Sequence, residues 1–367
     1  MNKLILGNLV YRPLRSLLSL TAVAIEVVMI LSVTAIMLGM LNDNKARTNG
    51  IGADMMVRPA NASFVVGVSG APVSAKVANV LARLPHVTVA APVAVQFTTG
   101  RSLENIYGIE YASFNALKPF VFLAGGPFQQ PYDVIIDDIL AKSGKNYQIG
   151  DWISILNHQF RICGIVEHGK GGRKFVQLST LDQLTGSEGK ASIFYLKLDN
   201  PANEPLVEKE IKATPGMDGY QIQTIQELLS MMTPGRYPGV KPALDTVIGI
   251  ALVIGFLVIF QSMYTAVMER TREIGILKAL GASRLTIVSV VMRETGLLAA
   301  GGIVLGIGLS FVVRLGVLAK FPTLPFAITP HWVLWAAILS LISALVGAIY
   351  PAYKAARKDP IDALAYE

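Results

Sequence analysis

Charged residues are scarce in this sequence, and their scarcity argues against a soluble protein. Only 16% of the 367 residues are charged, 52% are hydrophobic, and the mean hydropathy is +0.50. Soluble domains carry about 25% charged residues. The apolar excess therefore points to membrane-spanning helices.

Cysteine is almost absent as well. Cys163 is the single one, which excludes an intrachain disulfide, and we interpret it as a small buried apolar residue. The four histidines (His86, His158, His168 and His331) show no zinc or haem spacing with it, so no metal is expected. The nucleotide-binding lysine motif is missing too, so we expect no fused ATPase in this chain.

Four segments are long and apolar enough to cross a bilayer, which takes about 20 residues. They are residues 17–41, 242–267, 285–317 and 332–350. No small-residue cleavage site follows the first segment, so we interpret it as a retained span and not as a signal peptide. The net charge is +7. We attribute it to lysine and arginine that flank the spans and face anionic lipid, and not to nucleic-acid binding.

The distribution of lysine and arginine orients the spans. They lie before the first span, within the connection 268–284 and within the tail 351–367, whereas the connection 318–331 holds a single lysine. Short loops rich in lysine and arginine stay in the cytoplasm. Both termini are therefore predicted to be cytoplasmic, and residues 42–241 are predicted to lie outside. Residues 1–16 fit either an amphipathic helix in the membrane interface or a simple basic anchor.

The outer segment is predicted to be an α+β domain with a ferredoxin-like core and a β-rich lobe inserted at about 100–187. Two β-α-β patterns carry the core, at residues 53–97 and 192–225. Side by side, two such units make a ferredoxin-like sandwich. A further strand is predicted at 63–68, and the lobe has four short strand patterns separated by glycine-containing turns.

A basic, glycine-rich loop, His168–Lys174, lies in the lobe. A phosphate-binding loop requires Gly-x4-Gly-Lys-Ser/Thr between a strand and a helix. Here no serine or threonine follows the lysine, and the next residues have a strand pattern. We therefore predict an exposed hairpin loop that faces a partner or lipid, and not a nucleotide site.

The most informative stretch is Glu269–Arg284, which is predicted to be a short cytoplasmic helix between the second and third spans. Ile274, Leu277 and Lys278 fall on one face of it, and Gly281 suits the left-handed cap that ends a helix. This stretch is either a docking helix for a cytoplasmic partner or a solvated basic loop that only fixes the topology.

This stretch resembles the signature between the second and third spans of FtsX/MacB/LolC-type (type VII) ABC transporter permeases. Val291–Gly306 is similar to that family's glycine-rich third span, and Pro351–Leu364 is similar to its C-terminal tail. One span, an outer domain and three further spans are also the family's arrangement. In length the chain is most similar to the single-repeat, four-span, DevC-like members, which work with a separate ATPase.

The resemblance implies a mechanism and a set of contacts. Two permease chains, identical or different, would pair with two ATPase subunits that bind ATP and magnesium, while this chain would bind no cofactor and catalyse nothing. The connecting helix would dock on the ATPase, and the tail would brace it. The second span would continue as a stalk that moves the outer domain. The resemblance also implies a location in the bacterial inner membrane. The residues implied in docking are Glu269, Arg270, Arg272, Glu273, Ile274, Leu277, Lys278, Leu280 and Gly281, and those in the tail are Tyr353, Arg357 and Pro360.

Three charges, Glu26, Arg293 and Glu294, lie deep within the predicted spans, away from their ends. An intramembrane charge costs several kcal/mol unless it is paired or protonated, and it marks a functional site. Glu26 and Arg293 lie at the same depth, roughly 14 Å into their spans, so we predict an ion pair between them. The alternative is that Glu26 is protonated or hydrogen-bonds a hydroxyl. Gly302 and Gly306 suit close helix packing, within one chain or across a dimer.

Two functions fit this reading. The first is the export or extraction of a hydrophobic or amphiphilic cargo (lipid, lipoprotein, peptide or drug), with or without a membrane-fusion adaptor protein. The second is mechanotransmission without transport, in which the outer domain activates a cell-wall hydrolase. A membrane enzyme is disfavoured because the sequence has no zincin, nucleophile-elbow or acidic metal-binding motif.

Overall fold

The computed structural model describes residues 13–59, 72–99, 103–143, 146–237 and 239–358. These fold into two compact units. The helical unit comprises the described residues up to Leu38, Gly239–Ala319 and those from Phe326 onward, and the β unit comprises Gly39–Pro238 and Lys320–Pro325.

The described helices and strands are numbered here along the chain. The helices are α1 (Pro13–Gly50), α2 (Val77–Leu81), α3 (Tyr111–Leu117), α4 (Asp138–Ala141), α5 (Leu178–Thr185), α6 (Glu204–Ala213), α7 (Ile225–Met231), α8 (Val240–Glu269), α9 (Thr271–Ala279), α10 (Arg284–Lys320) and α11 (Pro330–Arg357). The strands are β1 (Met55–Arg58), β2 (Val73–Ser74), β3 (Val87–Thr99), β4 (Leu103–Ile109), β5 (Phe122–Gly125), β6 (Asp133–Asp137), β7 (Trp152–Ile155), β8 (His158–Val166), β9 (Lys174–Gln177), β10 (Lys190–Ala191), β11 (Ile193–Leu198) and β12 (Gln221–Thr224).

Four of the described helices, α1, α8, α10 and α11, are long and apolar enough to span a membrane. Within the helical unit α8 and α11 pack closely because their contact residues are small. Ala344, Ala348 and Ala352 on α11 are fully buried, and a Cβ atom at Gly347 would lie 2.9 Å from the carbonyl oxygen of Phe256 on α8. Small residues at such interfaces let helix backbones approach each other.

Helix α1 is longer than the predicted span. Its 38 residues measure about 57 Å at 1.5 Å per residue, against about 30 Å for the bilayer core, and residues 39–50 belong to the β unit. By contrast α8 begins at Val240, directly after Gly239 with a φ of +79°. All of α8 belongs to the helical unit, and the stalk expected on the second span stays a prediction. Of the predicted interfacial helix 1–16, residues 1–12 lie outside the described residues, and 13–16 belong to α1.

The β unit contains one ten-stranded sheet, in the order β12-β1-β11-β3-β4-β9-β6-β8-β5, with β7 paired to β8. Its first four strands are antiparallel neighbours, with Met56 opposite Tyr195 and Gln223, and Phe194 opposite Pro92. This order is that of a split β-α-β fold, so the predicted ferredoxin-like core is confirmed. Pro92 lies within β3 and does not interrupt it. The strand predicted at 63–68 lies outside the described residues.

The inserted lobe continues the same sheet. Strand β4 pairs with β3 on one side and, in parallel, with β9 on the other, so core and lobe share one backbone hydrogen-bond network. Three apolar clusters fill the unit, and the central one contains the aromatic rings of Phe114, Phe120 and Phe175, whose centroids lie 5.1–5.9 Å apart. Helices α3, α5 and α7 were not predicted, because each is at most eight residues long and shows too few turns for a periodic signal.

Candidate functional site

The connecting helix α9 has well-defined ends. Gly281, with a φ of +95°, ends it in the left-handed conformation that favours glycine, and the backbone N–H of Ala282 donates to the carbonyl of Leu277 at 3.0 Å. The hydroxyl of Ser283 then accepts a bond from the N–H of Thr286 at 3.2 Å, at the start of α10. The predicted cap at Gly281 is present, and together with Ser283 it fixes the turn between α9 and α10.

One end of α9 is held by a buried ion pair. Arg270 precedes α9, and its Nη1 lies 3.0 Å from Oε2 of Glu294 on α10, with both side chains buried. Ile274 is buried in the same cluster of side chains. Arg270 and Ile274 therefore hold α9 against its neighbours, and their burial does not support the predicted role as surface docking residues.

The other end of α9 is held by the end of α11. The ammonium group of Lys278 donates to the carbonyl of Ala356 at 3.1 Å and to the carbonyl of Lys358. A cation is stabilised there because the last carbonyls of a helix lack partners. The predicted brace between the tail and α9 is thus made by backbone carbonyls. Arg357 instead donates to Tyr353 within α11, at 2.8 Å, and Pro360 lies outside the described residues.

The remaining side of α9 is exposed and largely apolar. Leu280 is 80% exposed, Ile276 45% and Leu277 37%, and Arg272 and Glu273 beside them are also exposed. We call these five residues the α9 outer face. Glu269 and Gly281, the other two predicted docking residues, are exposed at the two ends. Ile276 is not among the predicted docking residues, because the prediction used the face of α9 that carries Ile274 and Lys278.

Glu26 does not form the predicted ion pair with Arg293. Its side chain is 3% exposed, and neither carboxylate oxygen has a hydrogen-bond partner, whereas Arg293 is exposed. The carboxylate lies against Gly255 of α8, and the hydroxyls of Ser340 and Ser343 on α11 face it. The sequence does carry a signal for these neighbours, namely a glycine in the second span and two serines three residues apart in the fourth.

The glycines of α10 pack within the chain. A Cβ atom at Gly302 would lie 2.7 Å from Val23 of α1, and one at Gly306 would lie 2.8 Å from the carbonyl oxygen of Ala24. Both glycines are needed for this close approach. Of the two alternatives left open by the sequence, the structure supports packing of α10 on α1 of the same chain.

The glycine-rich loop His168–Lys174 of the β unit is not the exposed hairpin that the sequence predicted. The N–H of Gly171 donates to the carbonyl of Arg47 in α1 at 2.9 Å, and a Cβ atom at Gly172 would lie 2.5 Å from the ring of Tyr107. Lys170 and Lys174 are each only 7% exposed. Gly172 is therefore explained by the close approach of Tyr107, whereas Gly169 and Gly171 have φ values of +101° and +61°, in the region that favours glycine.

Lys170 is a buried charge of this loop that packs on aromatic rings. Its ammonium lies 4.0 Å from the ring centroid of Phe120 and 4.8 Å from that of Phe114, and it donates to the carbonyls of Phe114, at 3.3 Å, and of Lys118. Burial, with a smaller contribution from Lys118, lowers the pKa of Lys170 to about 7. The carbonyls and ring faces stabilise the cation, so they oppose this shift.

Arg173 joins three segments of the β unit. Its Nη1 lies 2.9 Å from Oδ2 of Asp137, at the end of β6, and its Nη2 lies 3.1 Å from Oδ2 of Asp43, on α1. Nη2 also donates to the carbonyl of Thr323 at 3.4 Å. Asp137 is almost fully buried and caps α4 through the N–H of Leu140. Burial raises the pKa of Asp137, and the charge and hydrogen bond of Arg173 oppose this shift.

Two family models match the chain. The "MacB-like periplasmic core domain" covers residues 16–214, and the "FtsX-like permease C-terminal" domain covers residues 246–360. Together they include all four membrane-spanning helices and most of the β unit.

Curated relatives agree with these matches. An uncharacterised ABC transporter permease of Methanocaldococcus jannaschii is 27% identical over 60% of this chain and 58% of its own length. The macrolide export ATP-binding/permease protein MacB of Rhodospirillum rubrum is 26% identical over 96% of this chain and 58% of its own length. The uncharacterised ABC transporter permease YknZ of Bacillus subtilis is 33% identical over 41% of this chain and 37% of its own length. The match thus covers less than two thirds of each of these relatives.

Two solved structures are similar to part of the chain. The periplasmic region of MacB from Actinobacillus actinomycetemcomitans has a TM-score of 0.40 and 15% identity, and the match covers 50% of this chain and 94% of that structure. The extracellular domain of the transporter YknZ has a TM-score of 0.37 and 13% identity, with 47% and 98% covered.

Proposed function

Because the chain belongs to the FtsX/MacB-type family of ABC transporter permeases, we propose that it transmits motion from a separate ABC ATPase to its β unit. This motion exports or extracts a hydrophobic or amphiphilic cargo, such as a lipid, lipoprotein, peptide or drug. The ATPase subunits bind the ATP and magnesium, and a second permease chain completes the complex. The relative named a macrolide export protein supports export over pure signalling.

The observation that carries this proposal is the α9 outer face. A helix that presents Ile276, Leu277 and Leu280 outward exposes apolar surface that a partner protein can bury. Arg270 and Lys278 brace the same helix against α10 and α11. A push on α9 is therefore passed on to these spans and is not absorbed by a loose loop.

The proposed orientation follows from the charges near the spans. Lysine and arginine surround α9 and the C-terminal end of α11, at Arg270, Arg272, Lys278, Lys354 and Arg357. Short loops of this kind stay in the cytoplasm. We therefore place α9 and both termini on the cytoplasmic side of a bacterial inner membrane, where an ATPase is available, and the β unit on the opposite side.

The test is a charge placed on the outer face. In Leu280→Glu, docking of α9 would require a carboxylate to be buried, and the lost apolar contact alone is worth about 1.5–3 kcal/mol. We expect binding of the ATPase to weaken by at least about tenfold, measured by co-purification and by ATPase activity in proteoliposomes. Leu206→Glu, on α6 of the β unit, is the matched control because Leu206 is also exposed. Equal effects of the two substitutions would contradict the docking role of α9.

Cargo transport and mechanotransmission are separated by what stimulates the complex. Transport predicts that a lipid, lipoprotein, peptide or drug raises the ATPase activity, and that Leu280→Glu abolishes this response. ATPase activity that no such compound stimulates, together with activation of a cell-wall hydrolase, would favour mechanotransmission instead.

A further inference from the structure

Glu26 is a buried acid of the helical unit that the proposed function does not use. It lies on α1, 3% exposed, where α1 meets α8 and α11. Neither of its carboxylate oxygens has a hydrogen-bond partner. A charge left in this state inside a bilayer costs several kcal/mol, so the carboxylate requires a proton or a cation.

The surroundings of Glu26 are shaped to receive its carboxyl group. A Cβ atom at Gly255 would collide with Oε2 of Glu26, so the carboxyl group occupies the space that any other residue at position 255 would fill. Ser340 and Ser343 approach from α11 and are 0% and 7% exposed. The site is therefore a small polar pocket closed by three helices.

The donors and acceptors in this pocket do not balance unless a proton is added. Ser343 uses its hydroxyl proton on the carbonyl of Leu252, at 3.0 Å, so its oxygen can only accept a further bond. A carboxylate also only accepts. Ser340 has one proton to give, and its hydroxyl has no partner of its own. A proton on Glu26 supplies the missing donor, because the acid can then donate to one serine and accept from the other.

No charged side chain in the described part of the chain takes the place of this proton. On α8, Lys241 pairs with Asp245. Arg270, just after α8, pairs with Glu294 of α10. On α11, Lys354 donates to a tyrosine hydroxyl. Among the described residues, the side chains of Ser340 and Ser343 face the Glu26 carboxyl group.

We propose that Glu26, Ser340 and Ser343 form a proton-binding site at the junction of α1, α8 and α11. The site holds its proton while the three helices are packed. When α1 parts from α8 and water enters, the O–H bond of the acid breaks, the proton passes to water and the carboxylate becomes hydrated. Where α8 moves in the ATPase cycle, which rests on the proposed function, proton release accompanies that movement.

The test is labelling of the full chain in membranes with dicyclohexylcarbodiimide, an apolar reagent that adds to protonated carboxylic acids. Glu294 is the matched control, because it is equally buried, at 5% exposed, but is paired with Arg270. We expect mass spectrometry to find the label on Glu26 and not on Glu294, a labelling rate that falls as the medium becomes alkaline, and loss of the label in Glu26→Gln.

A second measurement covers the case in which the reagent does not reach the pocket. The infrared carbonyl band of a protonated carboxyl group should be present in the wild type and missing from Glu26→Gln, which keeps the shape of the acid. Absence of both the label and the band overturns the proposal. Suppression of the label by sodium ions at constant pH overturns the choice of ligand, since the site would then bind a monovalent cation. Neither measurement needs an ATPase, so a failure here is distinct from a failure of the proposed function.

Discussion

Replacing Arg173 by alanine should destabilise the β unit, because it removes the cation that joins Asp137, Asp43 and Thr323. Asp137 is the sensitive partner. Its side chain is 2% exposed, so water does not reach it when the guanidinium is gone, whereas Asp43 keeps an ion pair with Arg47 at 3.1 Å.

The size of the effect follows from these contacts. Breaking a buried ion pair from one side costs about 3–5 kcal/mol, because a charge stays buried without its partner. The side chain of Arg173 is 15% exposed, and Asp137 keeps the bond from the N–H of Leu140, at 2.7 Å. We therefore expect a loss of about 3 kcal/mol, at the lower end of that range, which raises the unfolded fraction by roughly a hundredfold.

Cys163 provides the assay, since it is the only cysteine of the chain. Its thiol is buried in β8, beside Val134 of β6, and burial raises its pKa to about 12. The thiol therefore reacts when the strands around it separate. The rate of its reaction with a pyridyl disulfide, measured in urea on the full chain in detergent and divided by the rate for the unfolded chain at the same pH, reports the free energy of unfolding.

The stability loss in Arg173→Ala should also change with pH in a defined direction. Without Arg173, the folded-state pKa of Asp137 rises further above its unfolded value. A carboxyl group with a raised pKa binds more protons in the folded state, so its contribution to stability falls as the pH rises between the two values. The deficit of Arg173→Ala should thus be smaller at about pH 5 than at about pH 8.

The double variant Arg173→Met/Asp137→Asn is the control, because it removes both charges and keeps the cap on α4. Replacing a buried ion pair by neutral groups is often close to neutral, so about two thirds of the lost stability should return. A deficit that grows in acid, or a double variant as unstable as Arg173→Ala, would refute the account of Arg173 as the partner of a buried charge.

Three further predictions concern other contacts. Gly306→Leu should separate α10 from α1, because a side chain there meets the carbonyl of Ala24; we expect a lower melting temperature in detergent, and Gly316→Leu, where the glycine has open space, should have little effect. Arg270→Ala should lower stability more than the double variant Arg270→Ala/Glu294→Gln, because the double variant leaves no buried charge without a partner. The melting temperatures of the wild type, the single variant and the double variant test this prediction. Lys170 has a folded-state pKa of about 7, below its unfolded value, so the unfolded chain binds more protons above pH 7. Stability of the β unit, measured by the Cys163 assay, should therefore rise with pH from about 7 to 9 in the wild type, and this rise should be lost in Lys170→Met.

The spans and the strands of the ferredoxin-like core could be predicted because each depends on its own local pattern. A run of apolar residues is needed for a membrane helix wherever its neighbours lie. Likewise, the apolar residues within β1 and within β11 are enough to predict each strand from its own segment of the sequence. By contrast the loop His168–Lys174 was predicted wrongly. Glycine and lysine are typical of exposed turns, and nothing local indicates that α1 and Tyr107 approach the loop and bury Lys170.

The connecting helix shows the same limit for charged groups. Its motif is rich in arginine, lysine and glutamate, and the docking residues implied by the resemblance include both charged and apolar side chains. In the structure Arg270 and Lys278 turn inward to partners that are 24 and 78 residues away along the chain, and the side left exposed is mainly apolar. Long side chains reach partners that are distant in the sequence, and the local motif does not specify those partners. A motif of charged residues therefore predicts the helix better than it predicts which side of the helix is exposed for docking.

The failed pairing of Glu26 with Arg293 shows which two quantities were missing. The first is the relative depth of the two spans. Val23 and Ala24 of α1 pack on Gly302 and Gly306 of α10, so Glu26 lies level with positions more than about 14 Å beyond Arg293 along α10. The second is the direction around the helix axis. Helix α10 packs on one stripe of α1, formed by Leu20, Val23, Ala24 and Val27. At about 100° per residue, Glu26 lies roughly 110° away from the centre of that stripe. Had this stripe been assigned to α10, the pair with Arg293 would have been excluded. The carboxyl group would then have been assigned to the two remaining spans, where Gly255, Ser340 and Ser343 offer the space and the polar atoms that a buried acid requires.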